Sequence, residues 1–114
     1  MLETNSSRDN PDQLPSCLFR LWIHSHEEDS EGVKVYRPSD YKFPPSRGRN
    51  GFEIKVNGEF IYYGIAPTDG SKKFIGYWQE KSNHQIDVYM EERTIRPYRI
   101  YIFSCDESIL RIEP

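Results

Sequence analysis

Gly51-Phe-Glu-Ile-Lys-Val-Asn-Gly-Glu-Phe-Ile-Tyr-Tyr-Gly-Ile65 alternates apolar and polar residues up to Asn57-Gly58 and then returns as an aromatic-rich run. Alternation sends successive side chains to opposite faces of a strand. Asn-Gly accepts the positive φ angles of a two-residue type I′ turn, whose twist matches the flanking strands. The stretch reads as a β-hairpin. A two-residue turn sets Ile54 opposite Ile61 and Phe52 opposite Tyr63, which assigns those four to an inner face. Glu53, Lys55, Phe60 and Tyr62 then share the outer face, leaving a partly apolar exterior.

The same pattern extends in both directions. Leu18 to His26 and Val33 to Tyr36 read as strands before the hairpin, and Phe74 to Gln79, Gln85 to Met90, Tyr98 to Ser104 and Ser108 to Ile112 as strands after it. Turn chemistry separates them at the acidic run Glu27–Gly32, at Ala66–Gly70 and at Asp106-Glu107. No segment sustains a 3.6-residue apolar period, although Glu91-Glu92-Arg93 suits a short helical turn. About eight short strands in sequence describe a meander, and a meander that closes on itself has no exposed edges. The fold class is all-β: a small antiparallel up-and-down β-barrel with little helix. Residues 1–16 are polar, carry Pro11 and Pro15, and read as a flexible tail; residues 17–114 form a single barrel domain. Between the second strand and the hairpin, Ser39 to Asn50 contains Pro44-Pro45 and Gly48, and its length marks a functional loop.

Composition bounds the function. A chain of 114 residues with formal charge −3 has one core and no basic stripe, so neither nucleic acid nor an anionic membrane is an expected partner. Hydrophobic residues are only 36% of the chain, but 14% are aromatic, which raises the apolar area each buried position supplies. The charged N-terminus lacks a signal-peptide apolar core, and no run reaches membrane-spanning length, so the expected location is cytoplasmic. Two cysteines, Cys17 and Cys105, are too few for a disulfide scaffold and fit reduced thiols; whether they pair is open at this level.

A tryptophan in the first strand (Trp22), a run of hairpins and an arginine in the last strand (Arg111) resemble the lipocalin-like, or calycin, barrels. The resemblance covers residues 17–112 as architecture, and Arg20 stands where the family's first-strand motif has glycine. It implies a barrel that binds a small apolar ligand, with Arg111 packed across Trp22 near the closed end.

Three groups of residues are candidates for chemistry. His24 and His26, two apart on a strand, share a face with Trp22 and are a candidate metal pair completed by Glu27, Glu28 or Asp29. The alternative is a hydrogen bond within the barrel for His24 and a rim position for His26. Tyr36, Arg47 and Arg49, with Tyr41 and Phe43, form a basic and aromatic group near the barrel mouth. Arginine's planar fork suits a carboxylate or phosphate, and the alternative is pairing with Glu53 or the run at 27–31. The inner face supplies Phe52, Ile54, Tyr63 and, from other strands, Trp22 and Trp78. No nucleophile elbow, phosphate-cradling loop or His-Glu-x-x-His motif occurs, and no cofactor is implied. The leading expectation is a non-enzymatic barrel whose ligand site comprises Trp22, His24, Tyr36, Arg47, Arg49, Phe52, Ile54, Tyr63 and Trp78, and whose ligand is small and either anionic or apolar. The alternative is a solid barrel that engages protein, with a homodimer formed through the Phe60 and Tyr62 face.

Overall fold

Alternating sequences give eight antiparallel strands, and in the computed structural model they close into a barrel. The structure describes residues 14–46, 48–65, 71–82 and 84–113. The strands are β1 (Leu21–His24), β2 (Lys34–Pro38), β3 (Gly51–Ile54), β4 (Glu59–Ile65), β5 (Ser71–Ser82), β6 (Gln85–Met90), β7 (Tyr98–Cys105) and β8 (Leu110–Glu113). The only helical segments among the described residues are two short 3-10 turns, Ser16–Leu18 and His26–Glu28. Neither is long and apolar enough to cross a membrane.

From β3 to β8 each strand pairs with the next, as a meander requires. The first hairpin departs from that order: β1 lies between β2 and β3, and β2 closes the barrel against β8. Since β2 and β3 are both antiparallel to β1, they run parallel to each other. Their connection must therefore travel the length of β1 instead of turning tightly. Residues 39–46 and 48–50 do this along the outer wall. Arg37, opposite Ile23 on the outer side of β2, holds Tyr41 beneath its guanidinium at 4.5 Å, and Arg49 covers Phe43 at 4.7 Å. The Pro-Pro segment is a strap held by two cation–π contacts.

The Asn57-Gly58 hairpin forms, with a register one residue away from that of a type I′ turn. Gly58 N–H donates to the Lys55 carbonyl and Lys55 N–H to the Glu59 carbonyl, both at 3.0 Å. Gly58 takes φ +101° while Asn57 does not enter the positive region. This is a three-residue loop ending in a glycine bulge. Phe52 consequently faces Tyr62 and Ile54 faces Phe60. A one-residue slip sends every side chain of the strand to the other face. Phe60 and Tyr62 thus point inward, Phe60 being wholly buried, and Ile61 and Tyr63 point outward. The homodimer face expected at Phe60 and Tyr62 is the barrel interior.

The core is densest at one end, where Trp22, Ile54, Phe60, Ile86 and Leu110 are buried around Leu18. Leu18 arrives from the Ser16–Leu18 turn and stoppers the barrel, and Trp22 Nε1 donates to its carbonyl at 3.1 Å. Leu14 and Phe19 pack against the same cluster, so the chain joins the core from Leu14, inside the segment read as tail; residues 1–13 lie outside the described residues. Arg111 does not cross Trp22. It lies opposite Val35 on the outer wall and donates to Ser104 Oγ at 3.2 Å. The cation over the indole, at 5.4 Å, is Arg20.

Candidate functional site

At the opposite end the barrel is hollow. A pocket of about 510 Å³ opens there, within the range of roughly 300–1,000 Å³ that holds small ligands. Its walls come from the beginnings of β3 and β7 and the ends of β4, β6 and β8, positions that alternation turns inward. Phe52, Met90, Ile100 and Ile112 supply the apolar surface, and Ile95, from the β6–β7 connection, reaches over it.

The polar groups come chiefly from tyrosines. Tyr36, Tyr62 and Tyr98 all line the pocket, together with Asn50. Asn50 Nδ2 donates to the Tyr62 hydroxyl at 3.1 Å. Tyr36 is sandwiched between His24 and Phe52, with ring centroids 4.9 Å and 4.8 Å away. Burial pushes the Tyr36 phenol above its ordinary range, reinforced by Tyr62, Asp29 and Tyr98. Tyr98 is pushed up to about 12 by burial and then by Tyr62. Both phenols stay protonated at neutral pH and can each donate one hydrogen bond.

Lys34 and Arg99 sit at the rim, and no carboxylate lines the pocket among the described residues. Arg99 Nε is bound to Asp87 Oδ1 at 2.7 Å, whereas Lys34 makes no ion pair with a described residue. The site thus combines an apolar body, phenolic donors and, at its edge, a lysine with no ion pair among the described residues.

The residues singled out from sequence separate into three sets. Tyr36 and Phe52 line the pocket. Trp22 and Ile54 lie in the solid end. Trp78 is also there, donating from Nε1 to the Lys55 carbonyl at 2.8 Å and leaning on Phe19 at 5.6 Å. Tyr63 is on the outer wall because of the hairpin register. His24 stands behind Tyr36, its Nε2 at 2.9 Å from Asp29 Oδ2, while Asp29 Oδ1 accepts the Val35 N–H at 2.8 Å; that ring positions a wall residue without lining the pocket.

Arg49 is consumed structurally. Its guanidinium binds Glu27 through two hydrogen bonds of 2.8 Å and 2.6 Å and donates to the His24 and Pro44 carbonyls at 3.2 Å and 2.7 Å. The Arg49 fork beside Glu27 holds that carboxyl at about 2, well below its ordinary value. Arg47 lies outside the described residues. His26 belongs to the 3-10 turn, exposed, 3.7 Å from Glu27. No group of three metal-ligating side chains assembles among the described residues, so the His24 and His26 pair lacks a third ligand there.

Tyr62, Tyr98, Asn50 and Lys34 were missed by sequence reasoning. Tyr62 depends on the hairpin register: the three-residue turn directs it inward, where a two-residue turn would direct it outward. No protein-family model, curated protein or solved structure matches the chain.

Proposed function

We propose that this protein is a non-enzymatic, lipocalin-like barrel that binds one small amphipathic molecule in the open end. The reading rests on a single observation: a pocket of about 510 Å³ whose apolar walls converge with three tyrosines and Asn50. Clefts of that size with a few placed polar groups are the usual form of a small-molecule site. The apolar body of the ligand packs on Phe52, Met90, Ile100 and Ile112. Its polar group accepts hydrogen bonds from the tyrosine hydroxyls, and Lys34 at the rim favours a weak acid over the corresponding alcohol.

Both tryptophans lie at the solid end, so their emission is a poor reporter of occupancy. Displacement of an anilinonaphthalene dye, with thermal shift as a second readout, tests the proposal using medium-chain and aromatic carboxylates against matched alcohols. Carboxylates are expected to displace the dye, and Met90→Trp, which fills the pocket, to abolish displacement while the barrel still melts cooperatively. If no compound displaces the dye or shifts the melt, and Met90→Trp behaves as the unaltered chain, the reading fails.

A second reading is favoured by the outer wall, where Tyr77 is 50% and Phe103 62% exposed. Aromatic side chains at such exposure suit a protein-binding surface. Light scattering of the unaltered chain and of Phe103→Lys tests it. A dimer lost in the variant supports that reading, and two monomers of equal size refute self-association.

A further inference from the structure

The structure assigns Cys17 and Cys105 as the site of an intramolecular disulfide that locks the N-terminal stopper onto β7 at the closed end. Their sulfurs lie 2.6 Å apart although 88 positions separate them in sequence, and both thiols are free and half-buried. A disulfide bond is about 2.05 Å long, so closure requires movement of only a fraction of an ångström at the sulfurs.

Two features of the chain create this approach. Cys17 is the central residue of the Ser16–Leu18 turn, which is anchored by the buried Leu18 and by the Trp22 indole hydrogen bond to the Leu18 carbonyl. Cys105 reaches the same place through a bulge. β7 pairs Ile102 with Ile112, then shifts register so that Ser104 meets Arg111 and Cys105 meets Leu110. Plain alternation from Ile100 and Ile102 would send Cys105 outward; the extra residue turns it back to the side of Leu110, where it packs against the core cluster.

The oxidant is a low-molecular-weight disulfide, of which oxidised glutathione is the probe. The Cys17 thiolate attacks one glutathione sulfur, forming a mixed disulfide as the other half leaves and takes a proton. Cys105 then loses its proton to solvent and attacks the Cys17 sulfur. The Cys17–Cys105 bond forms and the second glutathione departs as a thiol. Two protein thiols are oxidised and one glutathione disulfide is reduced to two thiols. Burial raises the Cys105 thiol above its ordinary range.

Incubation of the full chain with oxidised glutathione, followed by intact mass and peptide mapping, tests the assignment. The expected product has lost two hydrogens, contains the peptides of Cys17 and Cys105 joined, and melts about 10 °C or more above the reduced chain, as closing a long loop predicts. Dithiothreitol should reverse both changes. Cys105→Ser should stop at a stable glutathione adduct on Cys17. Accumulation of glutathione adducts on the unaltered chain without closure, cross-linking between chains, or closure with no change in melting temperature would each overturn the proposed lock.

Discussion

At the closed end of the barrel Trp22, Ile54, Phe60 and Leu110 are buried around Leu18. At the open end the same strands present Tyr36, Phe52, Tyr62 and Ile112 around a cavity. Strand count and alternation are common to both ends, so neither explains the difference. What differs is the stopper. The Ser16–Leu18 turn drives an apolar side chain into the closed end, whereas the nearest segment at the open end, residues 91–97, contributes Ile95 only as a partial cover. The side chains differ in kind as well. Three tyrosines must keep their hydroxyls near a partner or water, so they stand along the wall and cannot be packed across the axis.

Truncation should break this contrast most clearly. Phe60→Ala removes a wholly buried ring from the solid end and is expected to cost about 3–5 kcal/mol. Met90→Ala, on a half-buried side chain already facing the pocket, is expected to cost about 1–2 kcal/mol. Urea melts monitored by far-ultraviolet dichroism measure both. Equal costs would mean that the open end is packed as tightly as the closed one.

The hairpin tip that feeds the closed end offers a smaller test. Nothing lies within 4 Å of a Cβ built on Gly58, yet its φ is +101°. Gly58→Ala therefore carries only the left-handed backbone penalty, about 1–2 kcal/mol. Its equilibrium stability in the same denaturant series checks the figure, and an unchanged midpoint would contradict the bulged turn.

That turn also shows where sequence stops being sufficient. Strand positions were legible because alternation is local and recurs in every segment. The hairpin's existence was legible for the same reason. Its register was not: Asn57-Gly58 suits both a type I′ turn and a type I turn closed by a glycine bulge, and glycine takes a positive φ in both. The choice moved Tyr62 into the pocket and Tyr63 out of it. Phe52 faces inward under either turn, because the slip is taken up on β4, and Tyr36 sits on β2, away from the turn. The passage of the β2–β3 connection over β1 depends on strand order, a long-range property that no local pattern encodes. Arg49 illustrates a third limit, since the choice between Glu27 and a ligand rests on a distance that the strap sets. Cys105 required knowledge of a bulge.

Acid should act on the outer wall, where Arg37 also donates to the Ser108 carbonyl at 3.0 Å, before it reaches the closed core. Glu28 is gripped by Arg37 through two hydrogen bonds of 2.8 Å and by Ser25 Oγ at 2.7 Å. The Arg37 guanidinium lowers its carboxyl to about 2 from an ordinary 4.5. A depressed folded value means that this contribution is present above pH 4.5 and disappears as pH falls toward 2. The carboxylate is partly solvated, so the contribution is about 1 kcal/mol. Glu28→Gln should flatten that part of the stability curve. A wild-type curve that is level across this window would remove the pair as a stabilising contact.

Tyr98 provides the smallest and most local effect, at the other extreme of pH. Its phenol is pushed up to about 12 by burial and by Tyr62, above the ordinary 10.0. Because the folded value is the higher one, the contribution is complete below pH 10 and is lost as pH rises toward 12, where the unfolded chain ionises more readily. Tyr98→Phe removes that ionisation and leaves the ring to pack, so its melting temperature at neutral pH should stay close to that of the unaltered chain. Between pH 10 and pH 11.5 the variant should lose less stability than the unaltered chain. The closed end has no buried phenol among its core residues, so a shallower alkaline slope in this variant reports on the open end alone. An identical slope in the two proteins would place Tyr98 in solvent and take away one of the pocket's three hydroxyls.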